Sequence, residues 1–92
     1  METILIADDH QIVRRGVRVI LESLPQKYNI IEAATCAEVI QALTRQQVQF
    51  AVLDMSLADG NIFPAIQQNM ESGRLTNILV YSMNAEKIYA RR

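Results

Sequence analysis

Four side chains in this sequence have the chemistry and the spacing to act together: the acids Asp8, Asp9 and Asp54 and the hydroxyl of Ser82. Asp8 and Asp9 follow the apolar run Thr3-Ile4-Leu5-Ile6-Ala7, Asp54 ends Phe50-Ala51-Val52-Leu53-Asp54, and Ser82 ends Ile78-Leu79-Val80-Tyr81-Ser82. Continuous apolar runs without a helical period fit strands buried on both faces of a parallel sheet. Polar groups at the carboxyl ends of such strands lie in the crevice where open α/β sheets hold their ligands. Taken singly, Asp54 could equally open the following loop or cap a helix, and Ser82 could be an ordinary strand-end hydroxyl. The recurrence of the pattern on several strands is what points to a site.

If the strand carrying Asp8-Asp9 lies beside the strand carrying Asp54, three carboxylates share one crevice. Two unit negative charges about 4 Å apart repel by roughly 4 kcal/mol even at an effective dielectric of 20, so the cluster requires a cation or a proton. Oxygen ligands without a nearby His or Cys cluster favour Mg²⁺ or Mn²⁺ over zinc. Mg²⁺ is held by one or two carboxylates, keeps waters, and turns its remaining positions to phosphate oxygens. The chemistry this suggests is phosphoryl transfer. Asp54 would serve as the nucleophile that becomes an acyl phosphate, and Ser82 would donate a hydrogen bond to a phosphoryl oxygen.

The elements that must position these groups follow from periodicity. Val13, Val17, Ile20, Leu21 and Leu24 recur at spacings of three and four, with Arg14, Arg15, Arg18 and Glu22 on the other side, which predicts an amphipathic helix closed by Pro25. Gly16 inside it suggests a close approach of helix to sheet. Tyr28 to Ala34 mixes polar with apolar residues, as a strand nearer a sheet edge does. Thr35-Cys36-Ala37-Glu38 matches a capping box, and Cys36, Val39, Ile40 and Leu43 mark the inward side of the helix it opens. Gln49 to Asp54 is the next strand, and residues 55–61 read as a loop. Ile62, Phe63, Ile66 and Met70 mark a helix ended by Ser72-Gly73. After the strand that ends in Ser82, Asn84 is positioned to cap a last helix through Tyr89. Strict alternation of strands and helices with right-handed crossovers gives an α/β fold, a parallel sheet with helices on both faces.

Composition narrows the function classes. The 92 residues suit one domain, half of them are hydrophobic and 21% are charged, so a packed core is expected and disorder is not. A net charge of −1 provides no general attraction to nucleic acid or to an anionic membrane. The single cysteine, Cys36, cannot build a disulfide framework. No apolar run approaches the roughly 20 residues of a membrane span, so the expected compartment is the cytoplasm.

The segments Ile4-Leu5-Ile6-Ala7-Asp8-Asp9-His10, Val52-Leu53-Asp54, Leu57-Ala58-Asp59-Gly60 and Val80-Tyr81-Ser82-Met83 together resemble the receiver domain of two-component response regulators, over essentially the whole chain. The resemblance implies a flavodoxin-like doubly wound sheet with strand order 2-1-3-4. It makes Asp54 the phosphoacceptor, Ser82 the switch hydroxyl, and Asp8, Asp9, Asp54 and the backbone carbonyl of Ser56 the Mg²⁺ site. A sensor histidine kinase is the implied phosphoryl donor and a second copy of the chain a possible dimer partner. Asp8-Asp9-His10 with Val13-Arg14-Arg15-Gly16 and Ser82-Met83 resembles the subgroup whose receivers usually precede a LuxR-type helix-turn-helix domain, so DNA would be reached only through a C-terminal output domain. His10 is then a loop or helix-start residue, not a catalytic base.

The sequence departs from the family pattern in three places. Ala58 and Ile62 stand where a proline and a glycine usually follow the phosphoacceptor, and Met83 is bulkier than the usual residue after the switch hydroxyl. The family's fifth strand, the lysine at its end and the fifth helix are not found, and Lys87 falls in a stretch read as helix. Residues 1–92 are therefore expected to form an incomplete receiver domain whose last strand, Ile78 to Tyr81, is an uncovered apolar edge. The alternative is a phosphorylation-independent module of the same fold that acts through protein contacts. A flavodoxin-like FMN protein would want a Ser/Thr/Gly-rich phosphate cradle where Asp8-Asp9 stand. An aspartate-dependent phosphohydrolase would want an acid at the position of Ser56.

Overall fold

In the computed structural model the described residues are 1–55, 57, 62–81 and 88–91. The elements are β1 (Glu2–Ala7), α1 (Gln11–Glu22), β2 (Tyr28–Ala33), α2 (Cys36–Arg45), β3 (Val48–Asp54), α3 (Ile62–Glu71), β4 (Leu75–Tyr81) and β5 (Ile88–Arg91). They build one five-stranded sheet in the order β2-β1-β3-β4-β5. The first four strands pair in parallel, as the alternating pattern and the expected order 2-1-3-4 require.

Register is what delivers the acids. β1 and β3 pair from Ile4 opposite Phe50 to Ala7 opposite Leu53, so Asp8 and Asp54 emerge at the same end of adjacent strands. β3 and β4 pair from Val48 opposite Leu75 to Asp54 opposite Tyr81. Side chains alternate between the faces of a strand. Leu5, Ala7, Ala51, Leu53, Ile78 and Val80 enter the main apolar cluster with Val39 and Leu43 of α2 and Ile62 and Ile66 of α3. Ile4, Ile6 and Val52 are buried but lie outside that cluster, and they face the side on which α1 packs. The fully buried Leu5, Ile6, Leu43, Leu53 and Leu75 hold the two layers together.

The helix ends behave as their sequences predict. Thr35 Oγ1 accepts the N–H of Glu38, and Glu38 Oε1 accepts the N–H of Ala34, one residue before the cap. Gly73, at φ +82°, carries the left-handed turn that ends α3, with its N–H bonded to the carbonyl of Met70.

Several expectations about the inward faces need correction. Of the α1 residues expected inside, Val13, Val17 and Leu21 are half-buried, whereas Ile20 is 64% and Leu24 42% exposed. The helix lies over the β1–β2 edge of the sheet, so only the stripe at spacings of four faces inward. Arg14 and Arg18, expected on the outer side, instead reach β2, where Nε of each bonds a different oxygen of Glu32 at 3.1 and 2.6 Å. Both arginines are half-buried, with their heads paired with the acid. Ile40 and Phe63, also expected inside, are exposed at the margins of α2 and α3.

Gly16 makes no close approach, for a Cβ placed there meets nothing within 4 Å. The last helix is also corrected, because Ile88 and Tyr89 lie in β5, which pairs antiparallel with β4 from Ile78 opposite Arg91 to Tyr81 opposite Ile88. A pattern this short cannot sustain a helix on propensity alone, while β-branched and aromatic residues suit a strand and the open ladder of β4 supplies hydrogen-bond partners. The edge expected to be bare is thus paired along Ile78 to Tyr81. Asn84 and Lys87 lie outside the described residues.

A stability prediction follows from Gly16. It sits at negative φ in a helix interior with open space beside it. Gly16→Ala is therefore expected to stabilise the fold by about 0.5–1 kcal/mol through reduced unfolded-state entropy. A chemical denaturation midpoint that falls instead would reveal a contact at this position.

Candidate metal centre

Asp8, Asp9, His10 and Asp54 converge at the carboxyl ends of β1 and β3, each offering one ligand atom, and these atoms all lie within 4.8 Å of one another. The two strands explain the placement. Asp54 is the last residue of β3, and Asp8 follows β1 in the same alternation as Ile4 and Ile6, so both acids belong to the α1 side of the sheet. Asp8 is fully buried and Asp54 only 2% exposed, while Asp9 and His10 are open to solvent.

The backbone around the cluster is firmly tied. The N–H of Asp8 bonds the carbonyl of Ala33 at the end of β2, and Arg14 Nη1 reaches the carbonyl of Asp8 at 2.6 Å. Beyond β3, the N–H of Met55 bonds the carbonyl of Tyr81 at 2.7 Å, and the N–H of Leu57 bonds the carbonyl of Asp54 at 3.1 Å. The chain before and after the acids is thereby anchored to the two strands that flank β1 and β3.

Each oxygen of Asp8 has its own donor. Oδ1 accepts the backbone N–H of His10 at 2.7 Å, and Oδ2 accepts the phenol of Tyr81. The ring Nδ1 of His10 lies 2.7 Å from Asp8 Oδ1, 3.0 Å from Asp9 Oδ1 and 3.5 Å from Asp54 Oδ2. The imidazole ring thus lies within reach of all three acids. Burial disfavours the charge on Asp8, but the Tyr81 phenol and the backbone and ring N–H groups of His10 outweigh it and hold this carboxyl below its usual range. The hydrogen bond to Asp8, opposed by desolvation and helped by the charges of Asp9, Asp8 and Asp54, lifts His10 above its ordinary value. Burial and the bond to Asp8 push the Tyr81 phenol far up, so it remains a proton donor.

Three carboxylates with this spacing suit a hard divalent cation such as Mg²⁺. An ion held by these oxygens would compete for them with the His10 ring nitrogen, which lies 2.7 Å from Asp8 Oδ1 and 3.0 Å from Asp9 Oδ1.

Of the residues expected from the sequence, Asp8, Asp9 and Asp54 are brought together, while Ser56 and Ser82 lie outside the described residues. His10 is the residue just before α1, as expected, but its contact with all three acids was not anticipated. Tyr81 and Arg14 were also missed as site residues. For Tyr81 a signal existed, since a phenol in the last position of a buried strand beside an acid has somewhere polar to reach. For Arg14 the helical pattern pointed outward.

The model of the response regulator receiver domain family matches residues 4–92. The chain is 27% identical over 84 residues to the uncharacterized transcriptional regulatory protein YhcZ of Bacillus subtilis (strain 168), covering 91% of this chain and 39% of that protein. It is 36% identical over 61 residues to the DNA-binding transcriptional activator DevR/DosR of Mycobacterium tuberculosis (strain ATCC 25618 / H37Rv), covering 66% of this chain and 28% of that protein. The chain spans well under half the length of these curated relatives.

Among solved structures, RcsB from Salmonella enterica serovar Typhimurium, bound to promoter rprA in the presence of phosphomimetic BeF3-, aligns with a TM-score of 0.74 at 27% identity. That alignment covers 94% of this chain and 72% of the other. The MaeR response regulator bound to beryllium trifluoride aligns with a TM-score of 0.78 over 94% of this chain and 70% of its own, and at 24% identity it shows the shared fold.

The lifted basicity of His10 has a definite pH signature. A group whose folded pKa lies above its unfolded value stabilises the fold fully below the unfolded value, near 6.5, and loses that contribution as pH rises through the folded value. His10→Gln is expected to lower the thermal midpoint of the metal-free protein more at about pH 5.5 than at about pH 8.5. A larger effect at the alkaline end would show that the ring is held neutral. Because His10 is the single histidine of the chain, its NMR titration reports the same shift directly.

Proposed function

Because the chain belongs to the response regulator receiver domain family, we propose that it is a phosphoryl-accepting switch, with Asp54 as the acceptor and Asp8, Asp9, Asp54 and the backbone carbonyl of Ser56 as the site for Mg²⁺. The observation that best supports this reading is the convergence of Asp8, Asp9 and Asp54 at adjacent strand ends, with the acceptor carboxylate buried in a rigid strand. The donor in this reading is a phosphohistidine on a partner kinase.

One carboxylate oxygen of Asp54 attacks phosphorus, an O–P bond forms as the P–N bond breaks, and the departing imidazole keeps the electron pair and takes a proton from solvent. Bound Mg²⁺ would supply the positive charge that lets an anionic nucleophile and an anionic phosphoryl group meet. The remaining work falls to the chain itself. The β1–β3 register fixes the distance between acceptor and acids. Burial on the strand keeps the acceptor from rotating away, and Arg14 and Tyr81 hold Asp8. Ser82 would then donate to a phosphoryl oxygen and carry the change into the segment that leads to β5.

Relatives described as transcriptional regulators support an output in gene control, in which DNA would be contacted by a domain other than this one and the protein would work in the cytoplasm. Among the described residues no helix is long and apolar enough to cross a membrane. In this proposal residues 1–92 are the receiver portion, incomplete with respect to the family pattern, and a second copy of the chain is a candidate dimer partner.

A second reading, a module of this fold that acts through protein contacts without phosphate, gains support from His10 and Tyr81, which already serve the acid cluster with internal donors. Phosphorylation separates the two. Incubation with acetyl phosphate and Mg²⁺ is expected to add one phosphoryl mass to the protein, and Asp54→Asn to remain unmodified. Equal labelling of Asp54→Asn would move the acceptor elsewhere, and no labelling of the wild type would leave the contact module.

A further inference from the structure

We propose that Tyr81 is a positioning residue of the metal site, setting the rotation of the Asp8 carboxylate and tying the site to the strand that carries β5. The inference rests on the reading of Asp8, Asp9 and Asp54 as a cation site. It goes beyond that reading by assigning a role to a side chain that is neither ligand nor acceptor.

The geometry separates the two oxygens of Asp8. Oδ2 is taken by the Tyr81 phenol, which leaves Oδ1 on the side where Asp9 Oδ1 and Asp54 Oδ2 gather around the His10 ring nitrogen. A carboxylate with one oxygen pinned presents the other in a fixed direction. Such outer hydrogen bonds orient ligands and raise their effectiveness. The phenol can do this because it is half-buried and belongs to the last residue of a central strand, so little freedom is lost when the bond forms.

The alternation along β4 explains how it arrives there. Ile78 and Val80 point into the main core, so Tyr81 lies on the opposite side, together with Asp8 and Asp54. Tyr81 pairs with Asp54 in the β3–β4 register, and its ring extends past Asp54 to the acid of β1. Its backbone serves three neighbours at once. It pairs with Asp54 on one side and with Ile88 of β5 on the other, and its carbonyl accepts the N–H of Met55 in the loop after the acceptor. A change in the charge around Asp8 is therefore felt at the residue where the sheet meets both that loop and its antiparallel edge strand.

Titration calorimetry of Mg²⁺ into the metal-free protein tests this with affinity as the readout. Tyr81→Phe keeps the ring and removes only the hydroxyl. It is expected to weaken Mg²⁺ binding by about tenfold at unchanged stoichiometry, with a thermal midpoint within a few degrees of wild type. Unchanged or tighter binding by Tyr81→Phe, with the wild type still binding, overturns the role of Tyr81 and leaves the cation site standing. No Mg²⁺ binding by the wild type overturns both.

Should Tyr81→Phe fail to fold, ring-labelled tyrosine NMR of the wild type decides. The chain has three tyrosines, and Mg²⁺ is expected to shift one ring resonance, the same one that moves in metal-free Asp8→Asn. A spectrum in which Mg²⁺ binds and no tyrosine ring responds rejects the proposal.

Discussion

The parallel pairing of β1 with β3 is the constraint on which the rest of the structure depends. It fixes two buried carboxylates, Asp8 and Asp54, at neighbouring strand ends and on the same side of the sheet. A slip of β1 by one residue would turn Ile4 and Ile6 to the opposite side and send Asp8 with them, and a slip of β3 would do the same to Val52 and Asp54, so the apolar pattern and the charge pattern enforce the same register. The acids repel each other and resist desolvation, and packing must exceed that opposition before the site can exist. The burial of Leu5, Ile6, Leu53 and Leu75 in the strands that carry or flank the acids supplies the opposing term where it is needed.

The remaining elements can be understood as responses to that strain. The Tyr81 phenol and the His10 N–H neutralise the demand of Asp8 for donors, and Arg14 holds its carbonyl while also pairing with Glu32. The side chains of α1 are at most half-buried, so the helix is held over β1 and β2 through this polar clamp as much as through Val13, Val17 and Leu21. The same guanidinium that seats the helix thus fixes the turn carrying the acids. A loosening of α1 would be transmitted to Asp8 without any change in the sheet.

How much of this was legible in the sequence depended on the range of the forces involved. The four parallel strands and the first three helices follow from short patterns, since burial on both faces leaves an unmistakable apolar run, whereas the strand order, and with it the convergence of Asp8, Asp9 and Asp54, came from the resemblance to receiver domains. The depth of α1 was misjudged because a helical stripe tells which residues could be inside, whereas the sheet under α1 decides how many are. Ile88 and Tyr89 were misjudged because five or six residues can suit either a helical turn or a strand. The deciding factor, the open ladder of β4, is a property of the assembled sheet. His10 and Tyr81 were missed as site residues for a related reason: their contacts with Asp8 span 2 and 73 positions of sequence, and only the second needs the fold, yet the first needs a rotamer that sequence does not specify.

An acid cluster that already has donors changes the meaning of cation binding. A bare cluster would gain the full electrostatic relief of an incoming ion. Here the His10 ring nitrogen already lies among the acids, so an incoming ion would gain only the difference between two partnered states. The buried Asp8 has hydrogen-bond partners within the protein itself, from the His10 N–H and the Tyr81 phenol. The two donors differ in placement: His10 lies half-exposed among the three acids, whereas Tyr81 bonds the Asp8 oxygen turned away from them. A half-exposed donor on one oxygen and a strand-borne one on the other would let an ion enter or leave while the buried acid kept its orientation.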